Sequence, residues 1–403
     1  MITTWKWLAI CTVSIGLVGA GNVYAAEKEK TPDFTPRTYH TVQLDSQVLA
    51  SSGLFKFDSG LEFNYPDAVR GIFVTAHSAG GERFDSLINL VETTDLNAMV
   101  IDIKEDVGHL TYIPEEGSSL AELEIGQALI KNPRAMLERL EEKEIYPIAR
   151  VVVFKDTLLA EKRPELTFME GDQVWKNNGG DSFVNPFLKE VWDYNVQIAI
   201  EAAKLGFKEV QFDYVRFPEG FENRADDLTY SFGEYEDSKA DPIQRRVEAV
   251  TDFVAYAKEQ LEPYGIEVSV DIFGYAATLP EAPGIGQNFS KISENVDVIS
   301  SMIYPSHWGT AYFGISNPDL QPYKLVSEYA KAENKVLGKL KNPPVSRPWL
   351  QDFTASYLGA GNYKSYGKAE VEAQIKALNE HGIEEYLLWN AGNSYSKGVD
   401  YTP

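Results

Sequence analysis

The chain has 403 residues, of which 60 are acidic and 37 are basic, so its formal net charge is −23 at pH 7. Such a charge repels nucleic acid, anionic lipid and acidic polysaccharides, and we expect no nucleic-acid partner. The single cysteine, Cys11, lies in a segment that we predict to be cleaved, which excludes disulfides and thiol chemistry from the mature protein.

Residues 1–25 have the pattern of a secretory signal peptide. Lys6 precedes an apolar run from Trp7 to Ala20, and Val23-Tyr24-Ala25 carries small residues at the two positions that signal peptidase reads. The alternative is an uncleaved membrane anchor, but the apolar run is short and contains Gly16 and Gly19. We therefore predict cleavage, no membrane insertion afterwards, and a secreted or cell-envelope location.

The segment after the signal is polar. Its charged residues and prolines over residues 26–45 predict a flexible linker. Residues 46–403 then form one predicted barrel domain, in which residues 46–70 are an N-terminal extension. The aromatic residues of Gln47–Pro66 predict a hairpin or strand that closes the base of the barrel.

From Gly71 onward, short β-rich runs alternate with amphipathic stretches that are typical of helices. Strands separated by helices predict parallel pairing, and about eight such units over this length predict a closed (β/α)8 TIM barrel of the α/β class. A doubly wound open sheet is the alternative, but no Gly-x-Gly-x-x-Gly follows the first strand. The predicted strands are Gly71–Thr75, Ala98–Lys104, Tyr146–Phe154, Glu209–Phe217, Ile266–Tyr275, Asp297–Pro305, Arg347–Phe353 and Glu384–Asn390. The predicted helices are Arg83–Thr94, Pro133–Glu144, Pro186–Leu205, Pro242–Leu261, Phe289–Asn295, Pro318–Asn334 and Lys368–His381.

The most informative strand is the fourth, in the segment Glu209–Pro218. Alternation along it predicts that Gln211 and Asp213 point into the barrel, whereas Tyr214 joins the apolar outer face. A carboxylate inside a barrel is costly unless another group pairs with it or the chemistry uses it. Barrel enzymes keep their catalytic groups at the C-terminal ends of the strands, so Asp213 is the first candidate for catalysis.

Other strands also carry polar or aromatic residues near their C-terminal ends. Asp102 and Lys104 lie two apart and are predicted to share a face. Of the neighbours Gln351 and Asp352 only one can face inward, and we favour Gln351. The predicted substrate-binding residues are Asp102, Lys104, Arg150, Trp175, Arg216, Tyr304, His307, Gln351, Trp389 and Asn390.

Two carboxyl groups about 5 to 9.5 Å apart are the requirement for glycoside hydrolysis. Strands four and five are neighbours in a barrel, so Asp213 and Asp271 are the predicted catalytic pair. Asp213 would attack the anomeric carbon, kept ionised by Arg216 or Arg150. Asp271, in an aromatic setting, would keep a raised pKa and act as the acid.

Asp102 is a second candidate for the acid, but Lys104 beside it favours its charged form. Aromatic rings supply platforms for sugar rings, and Trp175, in a polar loop, is the best candidate for a platform. The sequence lacks the His-Glu-x-x-His, P-loop, Gly-x-Ser-x-Gly and Asp-x-Asp-x-Asp-Gly motifs and has five histidines, so we expect neither metal nor cofactor.

Six segments carry a resemblance to a known family: Arg70–Ala76, Ala98–Lys104, Gly206–Pro218, Ser269–Gly274, Met302–His307 and Leu388–Asn390. The chain resembles a family of secreted bacterial proteins with a glycoside-hydrolase-like barrel, formerly a domain of unknown function and distantly related to the α-amylase clan. The resemblance implies a nucleophile at the end of strand four, which here is Asp213. The amylase-like acid is a glutamate after strand five, where this chain has Asp271, and Asp352 would be the strand-seven acid.

The preferred hypothesis is a secreted glycoside hydrolase that uses two carboxylates on a cell-envelope or extracellular polysaccharide or oligosaccharide. The alternative is a glycan-binding or envelope-scaffold barrel without a working carboxylate pair. A lyase or transferase that uses the same cleft is a third option.

Overall fold

The computed structural model of the chain describes residues 56–403. The predicted signal peptide, the predicted linker and the first part of the N-terminal extension lie outside the described residues.

Eight parallel strands form a closed barrel, which confirms the predicted (β/α)8 fold. Each strand pairs with the next along the chain, β8 pairs with β1, and Trp349 of β7 pairs with Met302 of β6. A two-residue strand, Val345–Ser346, precedes β7 and also pairs with β6. The barrel strands are β1 (Arg70–Val74), β2 (Ala98–Lys104), β3 (Tyr146–Val152), β4 (Glu209–Asp213), β5 (Glu267–Phe273), β6 (Val298–Met302), β7 (Trp349–Gln351) and β8 (Tyr386–Trp389).

A helix follows each of the first seven strands. Several begin with a polar cap and a proline, as for Asn132-Pro133 and Asp241-Pro242, where the cap side chain accepts hydrogen bonds from backbone N–H groups of the first turn. Because Pro318–Leu320 forms a separate 3-10 turn, the sixth helix begins four residues later than predicted. The helices that alternate with the barrel strands are α1 (Arg83–Glu92), α2 (Pro133–Glu142), α3 (Lys189–Leu205), α4 (Pro242–Leu261), α5 (Phe289–Ser293), α6 (Pro322–Leu337) and α7 (Lys368–Asn379), and shorter helices lie at Ala76–Ala79, Ser119–Glu122 and Thr157–Lys162.

Alternation along β4 divides its side chains between the inside and the outside of the barrel. Gln211 donates a hydrogen bond to a serine of β6 across the interior. Phe212 points the other way, with its ring 5.5 Å from a phenylalanine ring of α4. Glu209, Gln211 and Asp213 therefore point inward at successive levels, and Asp213 reaches the C-terminal end.

The base of the barrel is held by a buried ion cluster at the N-terminal ends of the strands. Arg347 Nη1 lies 2.7 Å from Glu209 Oε1, and its Nε lies 2.7 Å from Glu385 Oε2. Arg347 Nη2 also donates to the hydroxyl of Tyr65 at 2.7 Å. These contacts link β4, β7 and β8 to the segment that precedes β1.

Residues 56–69 contain no helix or strand, so the predicted hairpin or strand is wrong for the described part of this segment. The segment still covers the base through Tyr65 and the buried Leu61. A closed barrel offers no free strand edge with which an added strand could pair. No helix within residues 56–403 is long and apolar enough to cross a membrane.

Candidate active site

Asp213 ends β4, and Arg150 of β3 holds its carboxylate. Arg150 Nε and Nη2 lie 3.0 and 2.6 Å from Asp213 Oδ2, and Asp213 Oδ1 accepts a 2.6 Å hydrogen bond from the backbone N–H of Tyr214. The two strands are adjacent, and both side chains point inward. Of the two arginines that the sequence offered as a partner for Asp213, the structure pairs it with Arg150.

Arg150 also contacts two aspartates from β2 and the turn that follows it. Its Nη1 lies 2.6 Å from Asp102 Oδ1, and its Nη2 lies 3.0 Å from Asp106 Oδ1. Burial raises the pKa of Asp102 to about 6, although Arg150 opposes this. Burial acts upward on Asp106 too, but Arg150 and Lys155 together lower the pKa of that carboxyl.

The prediction that Asp102 and Lys104 share a face is wrong. The β2–β3 register is irregular between them, because Asp102 lies opposite Arg150 whereas Lys104 lies opposite the next residue, Val151. A bulge of this kind reverses the side-chain alternation. Lys104 therefore points away from the barrel interior. On the outer side of the strand its Nζ lies 2.7 Å from Asp156 Oδ2, and both side chains are fully buried.

Asp271 lies on β5, is 3% exposed, and is the second carboxyl group that strand alternation predicted. Its Oδ1 accepts a 2.7 Å hydrogen bond from Trp349 Nε1 of β7. Burial and the nearby negative charge of Asp213 raise the pKa of Asp271 well above its ordinary value. The two aspartates are thus close enough for the charge of Asp213 to affect the pKa of Asp271. Their partners differ, because Asp213 is paired with Arg150 whereas Asp271 accepts a hydrogen bond from Trp349.

Tyr214 does not continue β4 on the outer face, as predicted. The strand ends here because Tyr214 has a φ of +53°. A positive φ is an uncommon conformation for a residue other than glycine. The ring lies instead in the cleft, where the guanidinium of Arg216 stands 4.8 Å from its centre and 4.7 Å from the Phe273 ring. Arg216 also donates to Glu219 at 3.1 Å.

A cleft of about 560 Å³ opens at the C-terminal ends of the strands. Within residues 56–403 no group of three or more His, Cys, Asp or Glu side chains is arranged to hold a metal ion. The lining residues are Asp106, Arg150, Asp213, Tyr214, Arg216, Glu219, Asp271, Phe273, Gly274, Tyr275, Met302, Tyr304, His307, Trp308, Gly309, Tyr312, Trp349 and Trp389.

Most of the predicted site residues meet in this cleft. Trp389 stacks on Phe73 with ring centres 4.1 Å apart, and Tyr304 lies 5.2 Å from the His307 ring. Burial lowers the pKa of His307. Asp102 is not part of the lining but touches it through Arg150. The predicted residues in the lining are Arg150, Asp213, Arg216, Asp271, Tyr304, His307 and Trp389.

Trp175, the predicted platform, does not line the cleft. It is 8% exposed and packs in the hydrophobic core beneath the loop that follows β3. Its backbone N–H donates to the carbonyl of Phe168, and its carbonyl accepts from the hydroxyl of Ser182. The polar neighbours in sequence face solvent, while the indole fills the interior of the loop.

Gln351, Asn390 and Asp352 also lie outside the lining and bind the chain itself. Gln351 is fully buried, and its side-chain amide accepts from a backbone N–H after β6 and donates to a carboxylate before α6. Asn390 and Asp352 hold the segment after β8, the first through backbone groups and the second through Ser396. Each of these side chains supports the loops around the cleft.

Sequence reasoning missed Trp349, Glu219 and Tyr312, which lies in the loop after β6. Trp349 lies two residues before Gln351, so strand alternation could have placed it on the inward face. Glu219 directly follows the Pro218 that ended the fourth-strand motif. No local pattern distinguishes Tyr312, because its place in the cleft depends on the path of a loop.

The sequence of residues 71–395 matches the model of a family described as "Putative glycosyl hydrolase domain". The search of curated proteins gave no match. Among solved structures, the PgaB (BpsB) glycoside hydrolase domain from Bordetella bronchiseptica is 15% identical, with a TM-score of 0.56 over 81% of this chain and 94% of that one. At that identity the likeness shows the barrel fold alone.

A hypothetical protein from Ruminiclostridium thermocellum is 30% identical, with a TM-score of 0.42 over 50% of this chain and 96% of that one. The glycoside hydrolase domain of PelA from Pseudomonas aeruginosa is 12% identical, with a TM-score of 0.44 over 83% of this chain and 99% of that one. The family match covers most of the chain and confirms the resemblance found in the sequence. The protein belongs to this family of glycosyl hydrolase domains.

Proposed function

We propose that the protein is a secreted glycoside hydrolase that cleaves a cell-envelope or extracellular polysaccharide with Asp213 and Asp271. The observation that carries this proposal is the difference between the two carboxyl groups. Asp213 is ion-paired with Arg150, whereas burial and the charge of Asp213 raise the pKa of Asp271. One carboxylate held by a cation and a second carboxyl group with a raised pKa form the arrangement that glycosidic cleavage requires.

In the proposed mechanism, Asp271 gives its proton to the oxygen of the leaving sugar as the glycosidic bond breaks. Asp213 attacks the anomeric carbon and forms a glycosyl ester. Asp271, now a carboxylate, takes a proton from water, and the hydroxide formed attacks the same carbon and releases Asp213. Arg150 holds the Asp213 carboxylate in place before the reaction and after it.

The charges in the cleft support a neutral or amino-bearing glycan. Arg150 is paired with three aspartates, and Arg216 is paired with Glu219 and stacked on Phe273. Both cations in the cleft lining therefore already have anionic partners, and an acidic sugar would meet further carboxylates. The aromatic rings of the lining offer flat faces to sugar rings.

The test is the release of reducing ends from a panel of envelope and extracellular polysaccharides. We expect wild-type activity that Asp213→Asn and Asp271→Asn each lower by about a hundredfold or more. Asp85→Asn, on the exposed face of α1, is the matched control and keeps wild-type activity. Release that neither active-site variant lowers contradicts the assigned pair. Binding without release, unchanged in Asp213→Asn, supports the glycan-binding alternative.

A further inference from the structure

Trp349 is a buried tryptophan of β7 whose indole points at Asp271. It is 1% exposed, and its Nε1 lies 2.7 Å from Asp271 Oδ1. The family match and the proposed mechanism give this residue no role. Its contact is with the carboxyl group to which the proposed mechanism assigns the proton.

The direction of this hydrogen bond is fixed by chemistry. An indole N–H donates and does not accept, so Asp271 Oδ1 must be the acceptor in either charge state of the carboxyl group. In a protonated carboxyl group the carbonyl oxygen is a better acceptor than the hydroxyl oxygen, so the indole contact with Oδ1 favours the proton on Oδ2. No residue in the described part of the chain hydrogen-bonds to Oδ2, and Asp271 lines the cleft.

The position of the indole is fixed by its neighbours. Trp389 packs against the Trp349 ring at 5.5 Å and 83°, and Phe73 packs against it at 6.5 Å and 76°. Trp389 in turn stacks on Phe73 at 4.1 Å. These three rings, from β1, β7 and β8, pack against one another and hold the Trp349 indole with its N–H directed toward β5.

We propose that Trp349 is a positioning residue, which holds Asp271 so that its proton lies on Oδ2 and faces the bound glycan. This inference rests on the proposed function of Asp271 as the acid. The same hydrogen bond favours the carboxylate form and so lowers the pKa of Asp271 against the upward effect of burial. Trp349 would thus govern both the orientation and the proton affinity of the acid.

The experiment compares wild type with Trp349→Phe, which keeps an aromatic ring and loses the N–H. Carbon-13 NMR of the Asp271 carboxyl group follows its titration without any substrate. We expect Asp271 to titrate at higher pH in Trp349→Phe than in wild type. With a substrate that the wild type hydrolyses, we expect kcat to fall about tenfold or more and KM to change little. We also expect the high-pH limb of the rate profile to move to higher pH.

Trp192→Phe is the matched control, because Trp192 also loses a 2.7 Å indole hydrogen bond, to the carbonyl of Pro186 outside the cleft. We expect the wild-type Asp271 titration in this variant. If Trp349→Phe fails to fold, the NMR signal of the Trp349 indole N–H is followed during a pH titration of the wild-type protein and tests the proposal instead. That signal must shift with the same midpoint as the Asp271 carboxyl group.

An unchanged Asp271 titration in folded Trp349→Phe, or an indole signal that ignores the titration, overturns the proposal. So does a rate profile whose high-pH limb stays in place. These outcomes differ from failure of the proposed function, which would appear as a wild-type protein that hydrolyses nothing, while the NMR titration still reports on the Trp349 contact.

Discussion

One guanidinium, that of Arg150, is shared by three carboxylates, and its effect on each depends on where that carboxylate lies. Asp106 is 43% exposed at its side chain and is held in a charged form by Arg150 and Lys155. Asp102 lies deeper. Burial raises its pKa more than Arg150 lowers it, so the pKa of Asp102 rises to about 6. Residues with the same partner therefore differ in proton affinity.

Asp102→Asn tests this account through stability. The folded-state pKa of Asp102 exceeds its unfolded value, so the folded protein binds more protons between about pH 4 and 6, and stability falls as pH rises through that window. A pKa difference of about two corresponds to roughly 3 kcal/mol. We expect Asp102→Asn, which keeps an oxygen for Arg150, to flatten this dependence and to be more stable than wild type at pH 7.

Urea unfolding at pH 4, 5, 6 and 7 measures the effect. Asp85→Asn, in an exposed ion pair on α1, keeps the wild-type dependence on pH. Parallel stability curves for wild type and Asp102→Asn would contradict the raised pKa.

Single elements decide which side chains enter the cleft. The bulge in β2 turns Lys104 outward against α3, where it binds Asp156 and the side chain of Asn195. Asp156 also caps the short helix Thr157–Lys162 by accepting from the Leu159 N–H at 2.8 Å. The pair therefore joins β2 to the loop after β3.

Lys104→Met leaves the buried Asp156 without its cation. Because removing one partner of a buried pair exposes the other to an uncompensated desolvation cost, we expect a loss of about 3–5 kcal/mol in the free energy of unfolding. Adding Asp156→Asn, which keeps the helix cap, should recover part of that loss. Chemical denaturation of both variants checks this, and a single variant as stable as wild type would refute the buried pair.

We expect the two ends of the barrel to have separate tasks in the whole molecule. The C-terminal end carries Asp213 and Asp271, and the base carries Arg347 between Glu209 and Glu385. In barrels of this type the C-terminal face performs the chemistry, and polar contacts at the other face serve stability. Glu209 and Asp213 belong to one strand but lie at opposite ends of it, in the base cluster and in the cleft respectively.

Arg347→Met should lower stability while leaving the site intact. We expect a loss of about 3–5 kcal/mol, since Glu209 is fully buried, and partial recovery on adding Glu209→Gln. Under conditions where the variant stays folded, its activity per molecule should match wild type. Thermal unfolding and a parallel assay of hydrolysis check both statements, and a large loss of kcat in the folded variant would contradict the separation of the two ends.

Strand alternation and the order of strands and helices are local properties, so the amino-acid sequence predicts the barrel and the inward placement of Asp213 and Asp271. Other positions in and around the cleft depend on contacts between distant parts of the chain. A bulge moved Lys104 out, a positive φ moved Tyr214 in, and the loop core enclosed Trp175. Irregular backbone and long-range packing set these positions, and neither leaves a periodic signal in the sequence.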